Sequence, residues 1–580
     1  MRRTIRLLLL VTFIAAPGVG AQQGSNSIRI YYGGPILTMD VNTPQVEALA
    51  VQDGRILMGG SLAQIEAHYG KDLDRRDLEG KTLMPGFFDA HSHAVMSAAK
   101  LAVVNTDPPP AGPADSITRI QRVLRQRLKE SPPAAGQWLV GWGYDNAMLA
   151  EGRHPTRKDL DAVSTEVPIA LVHFSSHQVV VNSMGLEQVA INAQSPDPAG
   201  GRIMRWPDSQ EPNGILQESA MYPVIFPVMN ALLSGEGALQ RVEAALAEYT
   251  AQGFTTVTEM AATPELMILL GEMARQQRLP VDIIAMLLSN AYQVEVVSDL
   301  YSTDYENRLR VGGIKIILDG GSPGRSAFLR EPYHRQLPGE TNYRGYSQIA
   351  DQVVLNDLVL ENYQAGIPLY IHALGDAAVD QAIVALQQLP RQGTRALRQT
   401  QLIHVQQLQE DQLDLLADLN VSLTFQVAHN YYFGDFHSKE IYGPLRTARL
   451  NPVRSALDRG LSVSIHHDSP VHPIDQFTLI WAAVNRVTRS GAVIGPGQKI
   501  TVMEALHAST IGPAYQFFEA DQKGSLEAGK LADMIVLSDN PLEIDPMALR
   551  DIQVLQTIKQ GRTVFIRDMV THQRSCFFTC

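Results

Sequence analysis

Cysteine is nearly missing from this chain. There are two in 580 residues, Cys576 and Cys580, both at the extreme C-terminus. No disulfide framework can brace the fold, and neither thiol is placed to be a catalytic nucleophile. The pair can close a small loop in an oxidising compartment or remain two thiols on a tail; either way only the tail is affected. Blocks of like charge are also absent: the net charge of −12 is spread along the chain. Without a Lys/Arg-rich face to bind phosphate, nucleic acid is not an expected partner. No apolar run reaches the roughly 20 residues a membrane span requires, and no short-period repeat interrupts the sequence.

The first residues have their own pattern. Arg2, Arg3 and Arg6 precede an apolar stretch over 7–16, and Val19-Gly20-Ala21 supplies small residues before Gln22. This reads as a secretory signal over 1–21. An uncleaved anchor is the alternative, and the shortness of the stretch speaks against it. No cysteine near the cleavage point can carry a lipid. The mature chain is therefore expected to be secreted or periplasmic, without stable membrane association.

Residues 22–83 read as β: the runs at 28–32 and 48–51 flank the turn signal Asp53-Gly54. Residues 513–570 have the same character, so the two chain ends are expected to pair into one small β domain, with 571–580 as a tail. Between them, strand-like runs at 84–93, 253–260, 281–288, 311–319, 367–374, 401–405, 421–427 and 461–465 alternate with helical patterns such as 351–364 and 409–419. Eight β–α units in series predict an α/β fold, a (β/α)8 TIM-type barrel over 84–512. The interval 94–250 is far too long for one βα unit. It is read as an inserted subdomain roofing the barrel mouth, or else as a peripheral decoration.

Chemistry-bearing residues sit in or near the ends of these runs: His91 and His93 in MPGFFDAHSH, Lys315 in IKII, His372 in YIHA, His404 in LIHV and Asp468 in SIHHD. In a strand, positions i and i+2 share a face, so His91 and His93 can converge on one ion. In such barrels the chemistry lies at the C-terminal ends of the strands. Imidazole suits zinc and similar ions, and a carboxylate completes the shell, which points to a metal-dependent hydrolase. Lys315 as an ammonium cannot ligate. Deprotonated, it can take up CO2 and offer a carbamate oxygen to each of two metals; the other reading is a buried amine paired with Asp319.

The joint pattern resembles the amidohydrolase superfamily, in the family 3 group that includes N-substituted formamide deformylases and YtcJ-like proteins. The stretches that carry it are PGFFDAHSH (85–93), GWGYD (141–145), HQVVVNS (177–183), GILQE (214–218), GFTTV (253–257), VGGIKIILDG (311–320), IHALGD (371–376), DSPV (468–471) and GSLEAGKLADMIVL (524–537). The resemblance covers nearly everything after the signal and is specific for the family, not for a substrate.

The resemblance implies a composite β-sandwich from the chain ends. It implies one or two divalent ions, zinc foremost, held by His91, His93, Lys315, His372, His404 and Asp468, with N6-carboxylysine at Lys315. It also implies hydrolysis of a non-peptide C–N bond in an amide, formamide or cyclic amide, by metal-activated water with Asp468 as general base and acid. His177 is placed as a further catalytic contact. Tyr144, Arg325 and His429 are candidate substrate-binding residues, with core packing and a surface ion pair as the alternatives. The substrate would be a small molecule, and a homodimer is the family expectation.

Two positions depart from the family pattern. Ile403 stands where a Glu usually precedes the sixth-strand histidine, so an acceptor that orients His404 is missing or replaced. His466-His467 stands where Gly-Ser often precedes the aspartate. These imidazoles can add pH sensitivity, bind another metal or shape the pocket. They also motivate a different reading, a regulatory barrel that binds metal without catalysis. An esterase or carbamate hydrolase on the same site is a third.

Overall fold

The runs rich in Val, Ile and Leu form one parallel sheet of eight strands in chain order: Phe87–Phe88, Phe254–Ala262, Asp282–Leu288, Leu309–Ile317, Leu369–Ala373, Thr400–His404, Ser422–Phe425 and Val463–Ile465. The structure is a computed structural model that describes residues 27–109, 111–235, 237–337, 339–390 and 400–567. The expected signal segment and both cysteines lie outside the described residues. Strands such as Asp282–Leu288 are buried along their whole length, because helices cover the outer face of a parallel sheet while its inner face packs on itself. Those helices include Pro264–Arg275, Gln352–Gln364, Asp376–Gln387 and Glu410–Leu419, each between successive strands.

The sheet curls until its two ends meet across a seam. The Phe88 N–H donates to the Ser509 carbonyl at 3.1 Å, and the Ile465 N–H donates to Ala508 at 3.1 Å. Above them the His93 N–H donates to Ser469 at 2.8 Å, joining the loops that follow the first and eighth strands. The interior below the mouth is filled by Phe88, Met260, Ile284, Met286, Tyr370, Ile403 and Phe517. Phe517 stacks on both Phe88 and Tyr370, at 5.4 and 5.3 Å. This packed floor makes the barrel a core rather than a pore.

The run over 84–93, expected as a single strand, is divided. Thr82–Pro85 pairs antiparallel with Met534–Leu537 in the terminal sheet, and only Phe87–Phe88 joins the barrel. The chain changes sheets at Pro85-Gly86. Gly86 is required there, because a side chain would collide with Thr255. His91 and His93 therefore lie in the loop beyond the strand, and strand alternation does not bring them together. That loop is laid along the second strand instead. The Asp89 N–H donates to the Thr256 carbonyl, and the Asp89 carboxylate accepts from the N–H and hydroxyl of Thr258 at 2.9 and 2.7 Å.

Both chain ends contribute to a six-stranded sheet, which orders Arg562–Ile566, Val554–Lys559, Met534–Leu537, Thr82–Pro85, Ile36–Leu37 and Gln45–Val46. A four-stranded sheet from the N-terminal part packs on it through Tyr31, Leu49, Val51, Ile56, Leu83, Met534 and Ile558. The hairpin at Asp53-Gly54 joins Ala48–Gln52 to Arg55–Gly60, with φ of 50° and 77° at the turn. A buried charge network ties this region to the base of the barrel. Asp282 receives Lys523 at 2.7 Å and Lys559 at 2.5 Å, while Lys559 also meets Asp533 at 2.7 Å.

The insertion builds a further sheet of six strands, from Val104–Asn105 to Pro212–Glu218, followed by the helix Tyr222–Leu232. No helix among the described residues is long and apolar enough to cross a membrane.

Candidate metal centre

Four imidazoles and a carboxylate meet where the barrel strands end. Lys315 lies within the fourth strand, His372 within the fifth, and His404 is the last residue of the sixth. Asp468 follows the eighth. Its Oδ1 lies 3.1 Å from His91 Nε2 and 3.4 Å from His93 Nε2, and its Oδ2 lies 3.9 Å from His404 Nδ1. The His372 and His404 rings are 4.3 Å apart. Lys315 lines the same cavity as His93, His372, His404 and Asp468.

Backbone geometry decides one of these placements. Ile403 points into the barrel floor, so regular alternation would send His404 to the other face. His404 and Val405 instead have φ of 74° and 37°, and the imidazole turns back to the mouth. Such left-handed backbone is costly for residues with a Cβ, β-branched ones above all. Asp468 also has a positive φ, 58°. Ile403 offers no acceptor to His404; it belongs to the apolar floor.

The donor atoms suit a cation. His91 Nδ1, His93 Nδ1, His372 Nε2 and His404 Nδ1 are buried with no regular hydrogen bond among the described residues, while His91 Nε2 and Asp468 Oδ1 face each other. Polar atoms buried this way are normally paired, and these are nitrogens and an oxygen of the kind zinc and its neighbours accept. The ligand-capable atoms of His91, His93 and Asp468 lie within 4.8 Å of one another.

Electrostatics follow from burial. Desolvation holds His91, His372 and His404 well below the ordinary imidazole range, so they are neutral and able to ligate. Burial alone would lower His93 too, but the Asp468 and Glu259 carboxylates outweigh it and lift it to about 9. Burial would raise Asp468, and the surrounding imidazoles, His91 first, hold it well below its usual range. Desolvation lowers the Lys315 amine to about 7, against the opposing pull of Asp468. Asp319 is not a partner for that amine. Its carboxylate accepts the backbone N–H groups of Phe328, Leu374 and Gly375, each at 2.9 Å.

The centre opens on a cavity of about 160 Å³. The barrel supplies one wall and the insertion the other, through Trp142, Met221, Ile225, Phe226 and Met229. His177 is at this wall. Its Nδ1 lies 2.9 Å from Glu218 Oε2, and Glu218 in turn accepts from Ser326 Oγ at 2.6 Å and Gln348 Nε2 at 3.0 Å. Glu218 is held at φ 51°. Its only sequence signal is its place in the GILQE stretch. Gln426 is likewise unannounced, donating to Asp468 Oδ2 at 3.0 Å.

Three expected pocket residues are not on the cavity wall. Tyr144 is buried inside the insertion, its hydroxyl 3.1 Å from His154 Nδ1. Arg325 donates to the Arg335 carbonyl at 3.2 Å and faces Glu440. His429 accepts from Gln406 Nε2 at 2.7 Å. Residue type alone does not reveal these directions.

A curled parallel barrel with histidine and aspartate donors at its open end defines a class of metal-dependent hydrolases. The chain belongs to the amidohydrolase family, whose sequence model matches residues 75–565. Among its relatives, the N-substituted formamide deformylase of Arthrobacter pascens is 29% identical over 536 residues, covering 91% of this chain and 96% of the relative. The putative amidohydrolase YtcJ of Bacillus subtilis is 26% identical, covering 92% and 99%. Among solved structures, an uncharacterised metal-dependent hydrolase from Pyrococcus horikoshii shares the fold with a TM-score of 0.68 at 24% identity, covering 90% of this chain and 99% of that one.

Proposed function

We propose that this protein is an exported, zinc-dependent amidohydrolase that cleaves the non-peptide C–N bond of an amide, formamide or cyclic amide bearing an apolar substituent. One observation carries the reading: buried imidazoles and a carboxylate face a cavity whose remaining wall is mainly apolar, with His177 and Glu218 among its few polar groups. The formamide deformylase among the relatives supports the bond type, and the basic-then-apolar start of the chain supports export.

His91, His93, Lys315, His372, His404 and Asp468 would hold the metal. When bound, a divalent cation lowers the pKa of water and polarises the scissile carbonyl. Lys315, with its amine lowered to about 7, is partly neutral near neutral pH. A neutral amine adds CO2 with loss of one proton, giving a carbamate with two donor oxygens. Asp468, fixed on one side by Gln426, takes a proton from the attacking water and returns it to the leaving nitrogen. His177, anchored at Nδ1 by Glu218, presents Nε2 to the substrate oxygen. Trp142, Phe226 and Met229 hold the apolar substituent and exclude water from the bond being cut.

The test is a panel of N-formyl and N-acyl amines, esters and carbamates offered to purified, zinc-loaded protein. Release of amine and acid from the amides is expected. Turnover confined to esters or carbamates would move the assignment to that chemistry. Bound metal with no turnover on any of them would favour a regulatory barrel.

A further inference from the structure

His466 takes no part in the cavity. Neither it nor His91 is on the cavity wall, whereas His93, His372, His404 and Asp468 are. His466 follows the eighth strand, where its N–H donates to the Phe425 carbonyl at 3.1 Å. The ring packs against two histidines of the centre from off the cavity wall. Its centroid is 4.8 Å from that of His91 and 4.9 Å from that of His404, and the His91 and His404 centroids are themselves 4.9 Å apart. The three rings form a nearly equilateral triangle.

Ligand-capable nitrogens of His91, His404 and His466 all lie within 4.8 Å of one another, and all three residues are buried. Both nitrogens of His466, and Nδ1 of His91, lack a hydrogen-bond partner among the described residues. An imidazole carries one N–H and one lone pair, and burying both unused is unfavourable unless something else takes the lone pair. Packing alone leaves these atoms unexplained. Tetrahedral coordination at about 2.0–2.1 Å brings ligand nitrogens together at separations that small side-chain rotations of this triangle can reach.

The adjacent imidazole is occupied differently. His467 Nδ1 accepts from the Ser469 N–H at 3.0 Å, and its ring lies between Tyr249 and Phe254. Of the two neighbouring histidines, only His466 faces the centre.

We propose that His466 is a metal ligand, joining His91 and His404 in an all-imidazole set around a single ion. This rests on the reading of the barrel mouth as a metal centre. A set of three neutral imidazoles suits zinc, cobalt, nickel or copper and disfavours magnesium and manganese, which prefer oxygen. His466 thereby makes the centre richer in nitrogen, and more selective for borderline ions, than the expected six-residue set alone.

The test reads metal rather than turnover. Full-length protein is loaded with zinc, dialysed, and its metal content and zinc affinity are measured in wild type, His466→Ala and His466→Gln. The absorption spectrum of each cobalt-loaded form is recorded alongside. Expected for the variants are loss of bound zinc or at least tenfold weaker zinc binding, a changed cobalt spectrum, and no comparable change in manganese binding. Wild-type zinc content, affinity and cobalt spectrum in either folded variant would overturn the assignment of His466. If wild type itself retains no zinc or cobalt, the metal-centre reading falls, and His466 with it. Should both variants fail to fold, anomalous diffraction at the zinc edge of wild-type crystals decides. A peak within about 2.1 Å of a His466 nitrogen is expected, and a zinc site that leaves His466 out of contact would overturn the proposal.

Discussion

Asp468 Oδ1 lies 3.1 Å from His91 Nε2, although the two residues follow opposite ends of the barrel sheet. The contact exists because the sheet closes. The Ala508–Ser509 segment bridges the seam, and the His93–Ser469 hydrogen bond holds the two loops together. A carboxylate in this position can meet both the cation donors and a substrate in the cavity.

Asp468→Asn keeps the side-chain volume and one oxygen but removes the proton acceptor. Turnover is expected to fall by about 10²–10⁴-fold, the usual worth of a general acid–base group, with much of the bound metal retained. Steady-state kinetics together with metal analysis check this, and wild-type turnover in the variant would remove Asp468 from the role of proton carrier.

Glu218→Gln weakens the acceptor that fixes His177 Nδ1. Glu218 acts through His177, so kcat is expected to drop by about tenfold while zinc content stays at the wild-type level, as for other residues that orient a functional histidine. A fall in metal content equal to the fall in kcat would mark the residue as structural instead.

Phe226→Ala removes an aromatic wall from the cavity. The specificity constant for substrates with bulky apolar substituents is expected to fall by about 10–200-fold, the scale of lost hydrophobic discrimination. Small N-formyl amines should be nearly unaffected. Equal losses across the series would argue against a substituent pocket here.

Chelation should abolish activity, and added zinc should restore it. Because a bound ion stabilises only the folded chain, removal should also lower Tm; at a free ion concentration 100 times Kd the stabilisation is about 2.7 kcal/mol. Thermal melts with and without chelator measure it.

The base of the barrel gives a pH dependence that does not involve the centre. Burial would raise Asp282, but Lys523 and Lys559 hold it well below the usual carboxylate range. Its ordinary value when unfolded is about 3.9, so its contribution to stability is fully present above that range. It drains away as the pH falls below about 4 and the unfolded state takes up the proton first. Denaturant melts between pH 7 and pH 3 should show this loss. Lys559→Met, which leaves Asp282 and Asp533 short of a partner, should cost about 3–5 kcal/mol at pH 7.

Much of the architecture was legible in the chain alone, because parallel strands covered on both faces must be apolar throughout. The runs around Lys315, His372 and His404 stood out for that reason, and a charged or polar residue inside such a run is conspicuous. The turn at Asp53-Gly54 was equally plain, since few other pairs accept positive φ at both positions. The family was also readable, from short stretches spread from PGFFDAHSH to GSLEAGKLADMIVL.

Tertiary structure decided what local pattern does not encode. It split the first run at Pro85-Gly86, where a close approach to Thr255 moves the chain between sheets. It turned His404 inward through a left-handed backbone and left Tyr144, Arg325 and His429 off the cavity wall. It also brought Glu218 and the helix Tyr222–Leu232 over the mouth. Periodicity reports which face of an element is buried, but not what that face meets, because the meeting depends on how distant segments close on one another. The composition of the chain therefore set its elements and its donors, while closure of the barrel under its insertion chose which donors share a centre and what kind of wall the substrate sees.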